Sequence, residues 1–374
     1  MELHKVIIAP DSFKGVLSAK AVADIIADGV AASFPGCVIE KMPIADGGEG
    51  SLETILSSTG GNVYETQVKA PDDRIITASF GVTSGSVAVV EMAQSSGLTK
   101  QAGLHPLSSS TYGFGQLISA ALDKSARRFV LCIGGSATTD GGCGMAAALG
   151  AQFFSSGGDV FIPGGGALRD IAHISTEGLD TRVRESEFTV MCDVNNPLFG
   201  PNGAAHVYGP QKGAGPADVA LLDDGLRHLG AVMLELFGRD YADVPGAGAA
   251  GGLGAGCMAF LGAKLVSGSD AILDVCGFSE RLCGADLVIT GEGRLDEQSF
   301  SGKALSGILK AAGKIPVCSI CGVCTYAAAQ KSSRSLKVFE ASESISPEES
   351  MKNPEKYLRL AVSRAMDHYG AADK

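Results

Sequence analysis

The side chains able to do chemistry recur in short loops where an apolar run meets glycine, an acid and hydroxyls. Four loops share this design: Asp11-Ser12-Phe13-Lys14, Asp46-Gly47-Gly48-Glu49, Gly134-Gly135-Ser136-Ala137-Thr138-Thr139-Asp140, and Thr290-Gly291-Glu292-Gly293-Arg294-Leu295-Asp296. A fifth, Asp193-Val194-Asn195-Asn196-Pro197-Leu198-Phe199-Gly200, sets a carboxylate beside two amides. Glycine lets a backbone approach a ligand closely, and the N–H groups opening the helix after such a turn attract anions. Phosphoryl transfer uses these parts: N–H groups and cations hold phosphate oxygens, paired carboxylates hold Mg²⁺ with water, and another carboxylate takes the alcohol proton. Lys14, Arg294 and Lys303 are cations beside glycines. Asp11, Asp46, Glu49, Asp193, Glu292 and Asp296 are the candidate acids. For any one of them a cap or turn role competes with chemistry; their recurrence after strands is what carries the reading.

The elements around these loops set the fold class. The apolar run at 5–10 predicts a strand, 17–34 a helix with Ser18 as N-cap, 38–43 a second strand and 51–58 a second helix. This βαβα opening calls for a parallel sheet with right-handed crossovers. Residues 63–69, 75–82 and 86–92 are β-rich with turns between them, which suggests antiparallel or mixed pairing. A helix at 112–125 leads to the strand 129–133, the glycine turn, and a helix at 143–149 stopped by Gly150. Further on, 218–237 reads as an amphipathic helix, 285–289 as a strand ending in the 290–296 loop, and 301–312 as a helix. Strands at 315–322 and 336–340 and a helix at 355–369 complete the chain. The expected fold is α/β: a discontinuous Rossmann-like parallel-sheet domain from 1–60 and 241–374, with an inserted mixed α/β domain at 61–240. In parallel sheets, such loops gather where ligands bind, at the carboxyl ends of the strands.

Composition narrows the function classes. The 374 residues suffice for about two cores; 45% hydrophobic and 19% charged residues describe an ordered globular chain. Net charge is −11 with a pI near 5.1, no basic stripe is visible, and Trp is absent, so nucleic acid is not an expected partner. An acidic chain still binds anions through a few local cations. The ten cysteines are scattered, several inside apolar runs, and no signal-peptide pattern opens the chain, which favours the cytoplasm. The uncharged stretch 245–263 is mostly Gly and Ala; it reads as a loop running into a buried helix, not as a membrane span. Oligomeric state is open, a homo-oligomer included.

Common signatures fail. Gly302-Lys303-Ala304 lacks the first glycine and the hydroxyl of a Walker A loop. Gly246-x-Gly248-x-x-Gly251 has no strand before it. No GxSxG elbow occurs, the histidines form no zinc set, and Cys318, Cys321 and Cys324 sit in an apparent strand.

At its glycine loops the chain resembles the bacterial type-I glycerate kinases. The matching segments are Ala9-Pro10-Asp11-Ser12-Phe13-Lys14-Gly15, Pro43-Ile44-Ala45-Asp46-Gly47-Gly48-Glu49-Gly50, Gly134 through Gly142, Asp193-Val194-Asn195-Asn196-Pro197-Leu198, and Thr290 through Asp296 with Gly302-Lys303. They run nearly end to end, with Thr139 departing from the family's expected Asn. The resemblance implies phosphorylation of D-glycerate with ATP and Mg²⁺, giving 2-phosphoglycerate ahead of 3-phosphoglycerate, in a two-domain protein. Roles are assigned from residue chemistry. Lys14, Asp46, Asp193 and Arg294 are the catalytic candidates. Asp11, Ser12, Gly47, Gly48, Gly134, Gly135, Ser136, Thr138, Asn195, Gly291, Gly293 and Lys303 are expected to hold substrate or phosphate in a cleft between the domains. Glu292 and Asp296 are the metal candidates. The rival readings are a nicotinamide-dependent hydroxy-acid oxidoreductase and a non-catalytic sugar-acid-binding protein.

Overall fold

The computed structural model describes residues 3–13, 15–45, 47–48, 50–300, 304–325, 328, 335–343 and 345–371. The strands are β1 Lys5–Ile8, β2 Val38–Lys41, β3 Gly61–Lys69, β4 Ile75–Thr83, β5 Val87–Glu91, β6 Arg128–Cys132 and β7 Gln152–Phe154. They continue as β8 Val160–Phe161, β9 His173–Ser175, β10 Glu187–Met191, β11 Lys264–Val266, β12 Leu287–Leu295, β13 Val317–Cys324 and β14 Leu336–Glu340. Two compact units form: Met1–Asp46 with Glu53–Thr59 and Ser267–Lys374, and Gly47–Leu52 with Gly60–Val266.

In the first unit five parallel strands lie in the order β14-β13-β12-β1-β2. Strand order therefore reverses between β1 and β12, the point where doubly wound sheets bind ligands. Successive residues of β1 face opposite sides, and Val6, Ile7 and Ile8 are all buried, so both faces are covered. Val6, Ile8, Leu287 and Ile289 pack with the helices Ala19–Ser33 and Pro354–Gly370. The helix Ala304–Ala312 packs on β12 and β13 and carries Gly268–Val275. Ser18 caps the first helix as expected, its Oγ accepting from the N–H of Ala21 at 3.2 Å.

The second unit has a mixed sheet in the order β11-β10-β6-β5-β4-β3. Four strands, β11, β10, β6 and β5, run parallel; β4 and β3 are antiparallel additions. β5, Val-Ala-Val-Val-Glu, is buried at every residue, as the inner strand of a covered sheet must be. Phe129 and Phe188 stack at 4.6 Å between neighbouring strands. A small sheet, β8-β7-β9, lies alongside.

Two expectations differ from these elements. Residues 241–266, expected with the terminal segments, belong to the second unit because β11 pairs with β10 and the helix Ala249–Leu261 joins that core. The Thr290–Asp296 stretch, expected as a loop, is strand as far as Leu295: its pairing with β13 continues through Glu292↔Cys321 to Leu295↔Cys324, beyond the last β1 partner at Ile289. Among the described residues no helix is long and apolar enough to cross a membrane.

Candidate active site

Register brings the carboxyl ends of β5, β6 and β10 side by side: Glu91 pairs with Cys132, and Cys132 with Met191. After β6 the chain turns at Gly134 and Gly135; Gly135 has φ +75° and is exposed, and Gly134 is half-buried. From Ser136 through Asp140 it is buried. Gly47, Gly48 and residues 50–52 lie over this edge. The N–H of Gly134 donates to the carbonyl of Gly47 at 3.2 Å, and a Cβ on Gly134 would stand 2.9 Å from Gly48 Cα. Glycine is required there by close backbone approach. The N–H of Leu52 donates to the buried Glu91 carboxylate at 2.7 Å, which clamps the segment down. After β10 come Asp193 and Asn195, both exposed. Asn196 is tied back instead, its Oδ1 accepting from the Tyr208 hydroxyl at 2.7 Å and its amide donating to the carbonyl of Asn202.

Asp140 holds this turn from within. Its Oδ2 accepts from the N–H and hydroxyl of Thr111 at 2.7 and 2.8 Å and from the N–H of Gly144 at 3.2 Å, while Oδ1 accepts from the N–H of Gly142. It thereby joins the start of the helix Tyr112–Asp123 to that of Cys143–Ala148. Burial pushes its carboxyl pKa up, against these hydrogen bonds. The helix Ala249–Leu261 backs the turn with bare backbone: a Cβ on Gly251 would lie 2.0 Å from the carbonyl oxygen of Thr138. On another side Lys212, 1% exposed, donates from Nζ to Ser136 Oγ at 2.8 Å and to the Thr138 carbonyl at 2.6 Å.

The first unit presents a different set. At the β1/β12 switch point the N–H of Asp11 donates to the carbonyl of Gly291 at 2.8 Å, and Thr290 Oγ1 donates to the carbonyl of Ala9. Asp11 Oδ1 accepts from the N–H of Ser12 at 2.6 Å. On β12, Glu292 and Arg294 share one face and Gly291 and Gly293 the other. Gly291 lies so close to β13 that a Cβ would meet the carbonyl oxygen of Ile320 at 2.5 Å. Ser299 links the two expected metal ligands: its hydroxyl donates to Glu292 Oε2 at 2.9 Å and lies 3.5 Å from Asp296 Oδ1. Asp296 also caps the turn Glu297–Phe300, accepting from the N–H of Ser299. Lys14, Asp46, Glu49 and Lys303 lie outside the described residues.

The family model described as the Glycerate kinase family matches residues 6–369. The glycerate kinase of Bacillus subtilis (strain 168) is 45% identical over 323 residues, 85% of each chain. The chain belongs to the glycerate kinase family. The glycerate 2-kinase of Escherichia coli (strain K12) is 43% identical over 326 residues, 86% of each chain. A crystal structure reported as a candidate glycerate kinase 2 from Salmonella typhimurium LT2 superposes with a TM-score of 0.88 at 36% identity, covering 99% of both chains.

Two groups beside this candidate site, Glu91 and Lys212, are not among the residues expected from the sequence. Glu91 ends an apolar strand without a glycine after it, so nothing marked it. Lys212 did carry a mark, since Gly213 follows it directly as Gly15 follows Lys14. Unlike the candidate loops, it follows no strand. The oxygen-only pair Glu292 and Asp296, bridged by one hydroxyl, fits Mg²⁺, an ion that takes one or two carboxylates, phosphate oxygens and water. Among the described residues no three His, Cys, Asp or Glu side chains gather into a larger metal cluster.

Proposed function

We propose that the protein transfers the γ-phosphoryl group of ATP to the 2-hydroxyl of D-glycerate. The observation that carries this reading is the glycine turn 134–135, exposed at Gly135, at the carboxyl ends of β6 and β10, with Gly47, Gly48 and Asp193 at the same edge, in a chain of the glycerate kinase family. Regiochemistry follows the E. coli relative named glycerate 2-kinase.

In the reaction, the 2-oxygen of glycerate bonds to the γ-phosphorus as the bond from that phosphorus to the ADP oxygen breaks. The hydroxyl proton passes to a carboxylate, Asp193 or Asp46. The N–H groups of the Gly47-Gly48 and Gly134-Gly135 turns hold anionic oxygens, with Ser136 and Thr138 adding donors at the second turn and Asn195 offering its amide. At the switch point Asp11, Ser12, Gly291 and Gly293 shape the backbone around a ligand. Arg294, Lys14 and Lys303 neutralise carboxylate or phosphoryl charge. Glu292 and Asp296 would hold Mg²⁺, which would supply charge neutralisation on the phosphate oxygens. Buried thiols such as Cys132, Cys257 and Cys318 suit a reducing cytoplasm.

³¹P NMR of the product from D-glycerate and MgATP tests this reading. The expected product is a phosphomonoester whose phosphorus couples to the single hydrogen on C2. Coupling to the C3 methylene would overturn the regiochemistry, and absence of ADP would overturn the kinase reading.

A further inference from the structure

Lys212 ends the short turn Pro210–Lys212, closed by Gly213 at φ +93°, and its ammonium is buried against the 136–138 backbone. An ammonium only donates hydrogen bonds. Because Nζ donates to Ser136 Oγ at 2.8 Å, that oxygen is the acceptor, and the Ser136 hydroxyl hydrogen has to point to another acceptor. Among the described residues none takes it, and none takes the third hydrogen of Nζ. The N–H groups of Ser136 and Thr138 also meet no carbonyl among the described residues. Among the described residues the buried hydroxyls of Thr138 and Thr139 also meet no partner. Buried donors normally find acceptors, so a cation, a hydroxyl forced to donate and two backbone N–H groups with no acceptor at one turn together call for an anionic oxygen.

We propose that Lys212 is the positioning residue of an anion subsite at the 134–136 turn, fixing the Ser136 hydroxyl as a donor toward a phosphoryl or carboxylate oxygen of a bound substrate. The identity of that substrate rests on the kinase reading; the subsite does not. Burial pushes the Lys212 ammonium down to about 7, and Asp140 opposes that fall. Asp140 is itself engaged by Thr111, Gly142 and Gly144. On the neighbouring helix Ala204–Tyr208 the titratable side chains are the exposed His206 and Tyr208, whose hydroxyl donates to Asn196. The exposed His105 sits beside Leu104, which packs on Gly213. A bound anion would hold the ammonium in its charged form.

The test is steady-state kinetics on Lys212→Met, Lys212→Arg and Ser136→Ala, with melting temperatures as the check on folding. Lys212→Met and Ser136→Ala should raise one KM about 10- to 100-fold, the scale of a lost charge-assisted hydrogen bond, while Lys212→Arg restores most of it. A rise confined to MgATP assigns the oxygen to the nucleotide, and one confined to D-glycerate assigns it to the substrate carboxylate. In the unmutated enzyme kcat/KM should fall above about pH 7 as Lys212 loses its proton, and that limb should vanish in Lys212→Arg. Unchanged KM values with only a lowered melting temperature, or the same limb in Lys212→Arg, would overturn the proposal. Should Lys212→Met not fold, Ser136→Ala and the pH profile decide. Should the unmutated enzyme make no ADP, the kinase reading falls, and calorimetry of MgADP and of D-glycerate binding still decides the subsite: unchanged affinity of both in every variant refutes it.

Discussion

The 134–142 turn and the 290–296 segment have similar composition but different construction. In the second unit the turn is sealed: Ser136 through Asp140 are buried, and Asp140, Lys212 and the glycine backbone of Ala249–Leu261 grip it from several sides. In the first unit the segment is a strand running on past its neighbour β1, with Arg294 exposed and Glu292 and Asp296 joined through Ser299. Buried polar groups resist movement because any unmade hydrogen bond costs the full desolvation of that group. An exposed charge such as Arg294 on a strand extension is within reach of a ligand. The contrast is between a turn sealed by burial and a strand extension that carries an exposed cation.

That contrast predicts opposite responses to mutation. The largest effect should come from Asp140→Ala, which strands four donors and should cost about 3–5 kcal/mol of stability, the range for breaking a buried charged network; chemical denaturation measures it. Equal stability in that variant would show that the turn is not held from within. In the first unit Arg294→Ala and Glu292→Gln should lower turnover about a hundredfold, the scale of one lost electrostatic contact in the transition state, while the denaturation midpoint stays nearly unchanged. A large loss of stability there would erase the distinction. Gly251→Ala should cost about 2 kcal/mol or more, because its φ of +72° and the 2.0 Å approach to Thr138 both oppose a Cβ.

The buried cation adds a pH dependence to the same comparison. The Lys212 pKa is depressed from 10.5 to about 7, so between those values the unfolded chain binds more protons than the folded one. Stability from this group is therefore fully present above pH 10.5 and lost as pH falls toward 7. Stability of the unmutated protein, relative to Lys212→Met, should rise over that window by at most about 1.4 kcal/mol per pH unit. Equal slopes in the two proteins would remove Lys212 as a buried cation.

Much of this was readable in the residues themselves. The strand at β1, the Ser18 cap, the glycine stop at Gly150 and the β-rich stretch that became β3 to β5 all follow from local periodicity and turn chemistry. The parallel sheet was visible as strands alternating with helices. Less visible was where the β12 strand ends. Thr290-Gly291-Glu292-Gly293 has loop composition, and only its pairing with β13 keeps it extended. The Gly/Ala stretch 245–263 reads as a loop running into a buried helix. Its glycines are spaced so that Gly251, Gly252 and Gly256 let backbone touch backbone behind the 138–142 turn.

The sequence by itself determined which residue types stand at the ends of which strands: Asp193 after β10, Gly134-Gly135 after β6, Asp11 after β1. These are consequences of short-range order, since a strand, a turn and a helix start are encoded within a dozen residues. Only the tertiary structure decided that Lys212 reaches Ser136, 76 positions away, that Leu52 meets Glu91, 39 positions away, and that Gly47 and Gly48 lie against the β6 turn. Such pairings depend on which surfaces are buried together, and burial is a property of the packed core that no local pattern carries.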